Sequence, residues 1–196
     1  MAIDTELFKR VMGHFLTGVT VVTTRSQEQI AGITVSSFCS LSLDPPLVLV
    51  CIDLSSNTLP LLRESKIFAV NILSAQQEHL SRGFATNTPE RFEHFCHAPY
   101  HTATTGAPIL DDTQAFIDAR IVAEYPGGDH AILIGAVEDL GANNSLAQAA
   151  QNGHLPTEEP HPLAYYQGQY RHLASNYHKP SLSEETYDNK LERRLG

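Results

Sequence analysis

Three runs rich in β-branched residues in the amino-terminal part of the chain constrain its fold most. They cover Gly18 to Arg25, Ile30 to Ser37 and Leu47 to Asp53, with polar or proline-containing turns between them. Such residues favour strands because their branched side chains pack well on a pleated sheet. Pro45 and Pro46 lack amide donors and mark the break before the third run. The sequence therefore predicts a meander of antiparallel strands.

Hydrophobic spacing predicts helices around this β-rich region. Leu7, Val11 and Phe15 recur four residues apart, which is typical of a short amphipathic entry helix. After Asp53, hydroxyl and amide side chains lead to Pro60, which indicates a helix start with a polar cap and a proline in the first turn. Further helices are predicted over Gln76 to Phe84, Pro89 to Phe95 and Leu146 to Gln151.

A hairpin is predicted in the carboxyl-terminal half. Ala115 to Glu124 alternates apolar and polar residues, turn-forming residues follow, and Ala131 to Val137 is the apolar partner strand. Asp118 is expected on the polar face, and Gly135 indicates a bulge or a close backbone approach. Further strands are predicted over Ile67 to Leu73 and Leu163 to Tyr166. About seven strands favour a mainly β fold, an antiparallel barrel with helical insertions, over a parallel doubly wound sheet.

Composition limits the class of protein. The chain has 196 residues, 42% of them apolar, so it can bury a core in one domain, predicted over 1–174 with a polar tail over 175–196. A net charge of −9 and no dense basic run argue against nucleic acid as a partner. The longest apolar stretch, Leu47 to Ile52, is too short to cross a bilayer, and acidic Asp4 and Glu6 stand where a basic leader would begin. A cytoplasmic protein without membrane association is expected.

The cysteines and histidines are expected to form no metal site. Cys39, Cys51 and Cys96 are an odd number without Cys-x-x-Cys spacing, which argues against a disulfide framework and a four-thiolate zinc site. One further cluster comprises His94, Cys96, His97 and His101. Its spacing matches no usual zinc finger, so a solvated surface is preferred and a zinc module is the weaker alternative.

One predicted strand face carries hydroxyls where a core would be expected. Alternation places on one side, wherever the strand stays regular, Thr34, Ser36, Phe38, Ser40 and Ser42. Buried hydroxyls are costly unless they are paired, so either the backbone satisfies them or a polar ligand does. An exposed strand would accommodate the same residues, since serine and threonine are common at protein surfaces.

A second polar cluster follows the strand that ends at Asp53. It consists of Ser55, Ser56, Asn57 and Thr58. These residues open the predicted helix, where free amide donors and the helix dipole favour a phosphate. A simple helix cap explains the same residues.

Several blocks in a consistent order carry a family resemblance. They are Phe15 to Thr23, Gly32 to Ser42, Asp44 to Pro46, Ser56 to Thr58, Phe68 to Asn71, Leu80 to Arg82, Phe84 to Ala85, Arg91 to Phe92, Gly128 to His130, Pro162 to Tyr166 and Tyr170. Through these blocks, roughly residues 8 to 173 of the chain resemble the flavin reductase-like family, the small reductase components of two-component flavin monooxygenases. The resemblance implies a split β-barrel that dimerises, holds FMN or FAD near the dimer interface and reduces it with NADH or NADPH.

The resemblance also implies which residues bind the flavin. The ring and ribityl chain would lie against Thr34, Val35, Ser36, Ser37 and Ser40, beside Cys51, Ile52 and Asp53. The phosphate would be held by Ser56, Asn57, Thr58, Arg82, Phe84 and Ala85. Among the tyrosines near the carboxyl terminus, Tyr170 is the one expected to contact the cofactor. A phosphate in a protein of net charge −9 needs local positive charge, from Arg82 or, if Arg82 points away, from Arg91.

His130 is the expected catalytic residue, because it corresponds to the family's histidine in a Gly-Asp-His turn near the nicotinamide. Its ring nitrogens would orient the carboxamide or stabilise charge on the reduced flavin. The alternative is a turn histidine with no part in the reaction. No catalytic triad is expected, since the cofactors carry the hydride chemistry.

The sequence thus predicts an NAD(P)H-dependent flavin reductase, a homodimer that supplies reduced flavin to a separate flavin-dependent oxygenase. Two alternatives remain open. One keeps the fold but passes electrons from bound flavin to a corrinoid or a ferric complex, and the other is a flavin-binding protein without turnover. The polar segment from Gly141 to Pro160 and the tail from Ser175 depart from the resemblance.

Overall fold

The computed structural model describes residues 3–88, 91, 93–142 and 161–173. Helices in this part of the chain are α1 (Thr5–Met12), α2 (Leu59–Ser65) and α3 (Glu78–Ala85). The strands are β1 (Thr17–Gly18), β2 (Thr20–Ser26), β3 (Gln29–Val35), β4 (Phe38–Leu43), β5 (Pro46–Asp53), β6 (Ile67–Ile72), β7 (Tyr100–Thr102), β8 (Pro108–Leu110), β9 (Ala115–Gly127), β10 (His130–Ala142), β11 (Leu163–Tyr166) and β12 (Gln169–His172). Short 3₁₀ turns cover Ala75–Gln77 and Phe95–His97.

Seven strands form the main sheet in the order β3–β2–β6–β9–β10–β5–β4, and all neighbours are antiparallel. β3 also contacts β5, so the sheet curls around one core. The predicted mainly β fold with helical insertions is confirmed. The simple meander is wrong for its third run, because β5 pairs with β4 and β10 rather than β3. Val50 and Ile52 of β5 align with Leu133 and Ala131 of β10, and all four are buried.

The core of the main sheet explains the glycine in β10. Phe68 is fully buried, and a Cβ added to Gly135 would lie 2.5 Å from its ring. The pairing of β9 with β10 also shifts between Ile134 and Gly135. Of the two alternatives predicted for this glycine, the bulge is therefore confirmed, and the close approach is made by a side chain.

The hydroxyl-bearing run is not one regular strand. β3 ends at Val35 and β4 begins at Phe38, so strict alternation from Thr34 to Ser42 is wrong. The chain turns at this corner, and Ser36 is exposed whereas Ser37 is half-buried. The residues of this run in β3 and those in β4 therefore do not share one face of a single strand.

Asp118 is fully buried rather than on the polar face of β9, which corrects the predicted alternation. The amide of Thr105 donates to its Oδ2 across 2.7 Å, and the Thr105 hydroxyl donates to its Oδ1. Burial raises the pKa of the Asp118 carboxyl, and the nearby Asp139 and Glu138 raise it further. The bonds from Thr105 offset part of the cost of burying this group.

Local predictions succeed for α1, β6, α3, the β9–β10 hairpin and β11. β12 is an additional strand that pairs with β11. The helix predicted over 146–151, part of the helix predicted over 89–95 and the tail over 175–196 lie outside the described residues. No described helix combines the length and apolar character needed to cross a bilayer.

Helix α1 lies on the surface with an apolar face. It contains no buried residue, although Asp4 caps its first turn by accepting from the amide of Glu6 across 2.9 Å. The apolar side chains that remain exposed on and after this helix are Leu7, Phe8, Val11, Met12 and Phe15. The predicted amphipathic helix is confirmed, but its apolar face stays largely exposed in the described part of this chain.

Candidate functional site

The end of β5 and the start of β10 bring together a first group of predicted site residues. His130 lies directly opposite Asp53 in the pairing of the two strands. Nδ1 of His130 is 2.7 Å from the carboxylate of Asp129, which orients the ring. The His130 side chain is 40% exposed, so a ligand bound at the rim formed by the end of β5 and the start of β10 can reach it.

The turn after β5 holds the Asp53 carboxylate. The amide and the hydroxyl of Ser55 each donate to its Oδ1 across 2.7 Å. The hydroxyl bond, the amide bond and, to a smaller extent, the nearby His130 lower the pKa of the Asp53 carboxyl. The amide of Leu54 donates to the carbonyl of Asp129 across 3.0 Å, which ties this turn to the β9–β10 hairpin. The rim therefore presents a carboxylate beside an imidazole.

Ser37 closes the corner between β3 and β4. Its hydroxyl donates to the carbonyl of Cys51 across 2.8 Å and accepts from the Cys51 amide across 3.3 Å. The backbone thus satisfies this hydroxyl. Ser36 and Ser40 are exposed, so their hydroxyls are accessible to a ligand. Burial raises the pKa of the Cys51 thiol, and the neighbouring Cys39 raises it further, so Cys51 stays protonated at neutral pH.

A second group joins β3 to α3 and to the β11–β12 hairpin. The hydroxyl of Thr34 donates to the carbonyl of Ser81 across 2.7 Å. The Ser81 hydroxyl lies 2.8 Å from the hydroxyl of Tyr170. Thr34 and Tyr170, which are far apart in sequence, are therefore connected through one residue of α3.

A third group lies at the start of α2. Thr58 is fully buried, and its hydroxyl accepts from Nη2 of Arg91 across 3.0 Å instead of capping the helix as predicted. Nε of Arg91 donates to the carbonyl of Gly32 across 2.8 Å, and Nη1 donates to the carbonyl of Thr86 across 2.9 Å. Burial lowers the pKa of Arg91, but a guanidinium remains charged in proteins. One cation thus joins β3, the start of α2 and the end of α3.

Arg82, the first candidate for holding a phosphate, has other neighbours. Its Nη2 lies 2.6 Å from the carboxylate of Glu78, and its guanidinium carbon lies 4.7 Å from the centre of the Tyr170 ring. Within the described part of the chain, the guanidinium that contacts Thr58 is that of Arg91. The geometry therefore favours the substitute cation beside the Ser56–Thr58 turn.

Comparison with known proteins assigns the family. The flavin reductase like domain matches residues 12–174. The chain belongs to this family. HsaB, the reductase subunit of a flavin-dependent monooxygenase from Mycobacterium tuberculosis, is 34% identical over 168 residues, which cover 86% of this chain and 82% of HsaB. The reductase component of 4-hydroxyphenylacetate 3-monooxygenase from Thermus thermophilus is 34% identical, over 86% of this chain and 96% of that relative.

Solved structures of flavin reductases share the fold. The flavin reductase PheA2 in its native state gives a TM-score of 0.74 at 35% identity, covering 88% of this chain and 99% of PheA2. The flavin reductase HpaC complexed with NADP⁺ gives a TM-score of 0.72 at 33% identity, covering 88% of this chain and all of HpaC. The predicted family and the predicted split-barrel fold are confirmed.

In this flavin reductase family member, several predicted site residues have buried side chains. They are Val35, Ile52 and Phe84. Phe84 packs against Gly32, where an added Cβ would lie 2.6 Å from the ring. Ile52 and Phe84 expose no surface at all, so neither residue presents an atom to a ligand in this structure. Of the remaining predicted phosphate ligands, Asn57 and Ala85 are exposed and Ser56 is half-buried.

Three residues outside the predicted set take part in the contacts around α3. They are Glu78, Ser81 and Tyr165. The spacing of Glu78 and Arg82, four apart on a helix, is a sequence signal for their ion pair. Ser81 and Tyr170 are 89 residues apart, so no local pattern indicates their contact.

The described residues contain no group of three or more His, Cys, Asp or Glu side chains that could hold a metal ion. In the histidine cluster considered above, His94 and His97 stack with ring centroids 5.1 Å apart. No disulfide bond joins Cys39, Cys51 or Cys96 to another described residue.

Proposed function

We propose that this protein is an NAD(P)H:flavin oxidoreductase that reduces FMN or FAD and supplies the reduced flavin to a separate monooxygenase. The observation that carries the proposal is the match to the flavin reductase like domain over residues 12–174, which contains all three groups of contacts described above. Relatives with about the same length are reductase components of monooxygenases, which supports a separate oxygenase as the partner.

The residues around the β3–β4 corner fit a flavin. A flavin ring has apolar faces and a polar edge, so its site needs hydroxyls along one rim and apolar side chains behind them. Ser36 and Ser40 supply exposed hydroxyls, and half-buried Phe38 supplies apolar surface next to them. Ser37, which holds the Cys51 backbone, keeps this corner in one shape.

The Ser56–Thr58 turn fits the phosphate. The guanidinium of Arg91 lies 3.0 Å from the hydroxyl of Thr58 and brings positive charge to a protein whose net charge is −9. Ser56 and Asn57 directly precede Thr58 in this turn, and their side chains can donate to phosphate oxygens. In this arrangement Arg91 fixes the turn, and the turn binds the phosphate.

A bound flavin supplies the acceptor for the hydride of NADH or NADPH. The protein's part is to position both rings and to stabilise charge. Asp129 engages Nδ1 of His130, so Nε2 is the ring nitrogen available to the nicotinamide carboxamide or to the polar edge of the flavin. His130 is therefore proposed as the residue that orients the reacting rings.

The test of function is anaerobic mixing of the full chain with FMN or FAD and with NADH or NADPH, followed by visible absorbance. Loss of the flavin band within seconds to minutes is the expected result. Binding of flavin without bleaching by either nucleotide would overturn the proposal in favour of a binding protein. Faster turnover with a cobalt corrinoid or a ferric complex than with free flavin would overturn it in favour of another electron acceptor.

A homodimer is part of the proposal. Its support is the exposed apolar surface of α1 and of the segment that follows it, where Phe8 is 55% and Phe15 is 70% exposed. Contiguous exposed apolar side chains of this kind usually mark an interface. Light scattering of the purified protein measures the assembly directly, and the mass of a single chain at micromolar concentration would contradict it.

A further inference from the structure

A cleft of about 540 Å³ lies between α3 and the β11–β12 hairpin, next to the proposed flavin site. Four side chains that line it carry its chemistry: Glu78, Arg82, Tyr165 and Tyr170. Small-molecule sites typically measure about 300–1,000 Å³, so the cleft is large enough for a nucleoside.

Aromatic side chains form one wall of this cleft. Tyr165 pairs directly with Tyr170 across the hairpin, and their rings meet edge to face with centroids 5.4 Å apart. Tyr170 is held by the hydroxyl of Ser81 and by the guanidinium of Arg82 above its ring. Tyr165 is 37% exposed, so part of its ring is available to a flat group. Any nucleobase can stack on such a ring, because every base has a flat π-face.

A carboxylate forms the opposite wall. Oε1 of Glu78 lies 2.6 Å from Arg82, whereas Oε2 lies 3.7 Å from the nearest ring nitrogen of His172, which is too long for a hydrogen bond. Oε2 is therefore available to accept from the hydroxyls of a sugar. A carboxylate that accepts from the ribose hydroxyls of adenosine, and that disfavours a phosphate on that ribose, is a general solution to binding a dinucleotide.

The cleft is continuous with the proposed flavin site. Thr34 of β3 donates to the carbonyl of Ser81, which directly precedes Arg82 in α3. Arg82 and Ala85 line the cleft and also belong to the residues implied by the family resemblance for the flavin phosphate. A molecule whose redox ring lies along β3 can therefore extend its other half into the cleft.

From these contacts we propose that the cleft binds the adenosine half of a dinucleotide, with Glu78 accepting from the ribose hydroxyls and Tyr165 stacking on the adenine. The inference rests on the proposed function. FAD and NADH both carry this group with an unphosphorylated ribose, so the test must separate the two sources.

The test uses the full chain and a Glu78→Gln variant. Glu124→Gln is the matched control, because the Glu124 side chain is about as exposed as that of Glu78 (30% against 27%) and also lies 2.6 Å from an arginine, Arg63, outside the cleft. The Michaelis constants for FAD and for FMN are measured at saturating NADH, and the constant for NADH is measured with FMN. Binding of 5′-AMP is followed by calorimetry, and Tyr165→Ser provides a second variant that perturbs the aromatic wall.

Binding of 5′-AMP to the wild type, weakened about tenfold in both cleft variants but not in the control, is the expected result. A rise in KM for FAD but not for FMN in Glu78→Gln assigns the adenosine to the flavin. A rise in KM for NADH measured with FMN assigns it to the nicotinamide nucleotide, and NADPH is then the poorer donor. Absence of 5′-AMP binding together with unchanged constants would overturn the inference. Failure of the wild type to reduce either FMN or FAD with either nucleotide would instead overturn the proposed function, and 5′-AMP binding would still report on the cleft.

Discussion

The guanidinium of Arg91 donates a hydrogen bond to the buried hydroxyl of Thr58 across 3.0 Å. The same group also donates to the carbonyls of Gly32 and Thr86, which belong to segments far apart in sequence. A buried cation with several acceptors costs more to remove than an exposed one, because each acceptor loses its partner. The shape of the proposed phosphate-binding turn therefore depends on a residue behind it.

Replacing Arg91 with Met should lower the free energy of unfolding by about 2–4 kcal/mol, since buried acceptors lose their donors. Urea denaturation measures this loss. Flavin titration at a temperature where the variant is folded should show an affinity at least about tenfold weaker. Arg82→Met is the stability control, because its exposed pair with Glu78 contributes less than about 1 kcal/mol. An equal loss in the free energy of unfolding in Arg91→Met and Arg82→Met would contradict the stabilising role of Arg91.

Replacing His130 with Gln should slow flavin reduction more than it weakens flavin binding. Loss of one charge-assisted hydrogen bond costs about 1–2 kcal/mol, or roughly tenfold in rate. Stopped-flow reduction at saturating NADH gives the rate, and titration gives the affinity. His79→Gln, on the exposed side of α3, is the control. A rate equal to that of the wild type would make His130 a turn residue without a part in the reaction.

Asp118 should make stability depend on pH. Burial raises its pKa in the folded protein above the ordinary value of 3.8, so the folded state holds this proton more tightly than the unfolded chain does. The contribution of this group to stability is therefore full below pH 3.8 and falls as the pH rises through the window up to the raised pKa. Asp118→Asn keeps an acceptor for the amide of Thr105 but removes the titration.

The stability of Asp118→Asn relative to the wild type should accordingly improve as the pH rises from about 4 to about 7. Urea midpoints at several pH values measure the difference. Glu64→Gln, an exposed carboxylate on α2, controls for a general change in charge. A difference that stays constant across this range would show that Asp118 does not titrate in it.

Replacing Val11 with Glu should weaken self-association. Val11 is 60% exposed on the apolar face of α1, so a charge there costs little in one subunit but opposes the burial of that face against another. Light scattering across a dilution series should show a dimer dissociation constant at least about tenfold higher. Arg10→Glu changes the charge on the same helix without entering the apolar face. An unchanged molar mass in Val11→Glu would place the interface elsewhere.

Local chemistry made the β9–β10 hairpin predictable, because turn residues and alternating strands lie next to each other in sequence. The place of β5 was not predictable in this way, since its pairing with β10 depends on residues about 80 positions away. Asp118 illustrates a second limit. Its buried carboxylate accepts hydrogen bonds from Thr105, which reaches it from a loop rather than from a neighbouring strand.

In the candidate site, too, residue types were predictable from the sequence, but contacts between distant segments were not. The family resemblance predicts Thr34, Thr58 and His130 as site residues, but it could not assign their partners. Ser81 connects Thr34 to Tyr170, and Arg91 rather than Arg82 contacts Thr58, because both contacts form only when distant segments pack together. Residue type is thus readable from the chain, whereas the direction of each side chain follows from the fold.

The eight residues of α1 bury no side chain against the described part of the chain, and a helix this short is only marginally stable in water by itself. In the proposed dimer, a partner subunit that covers Phe8 and Val11 would also suppress fraying of this segment. Deuterium uptake at its backbone amides should therefore slow as the protein is concentrated. The exchange rate of this helix would then report on assembly of the protein.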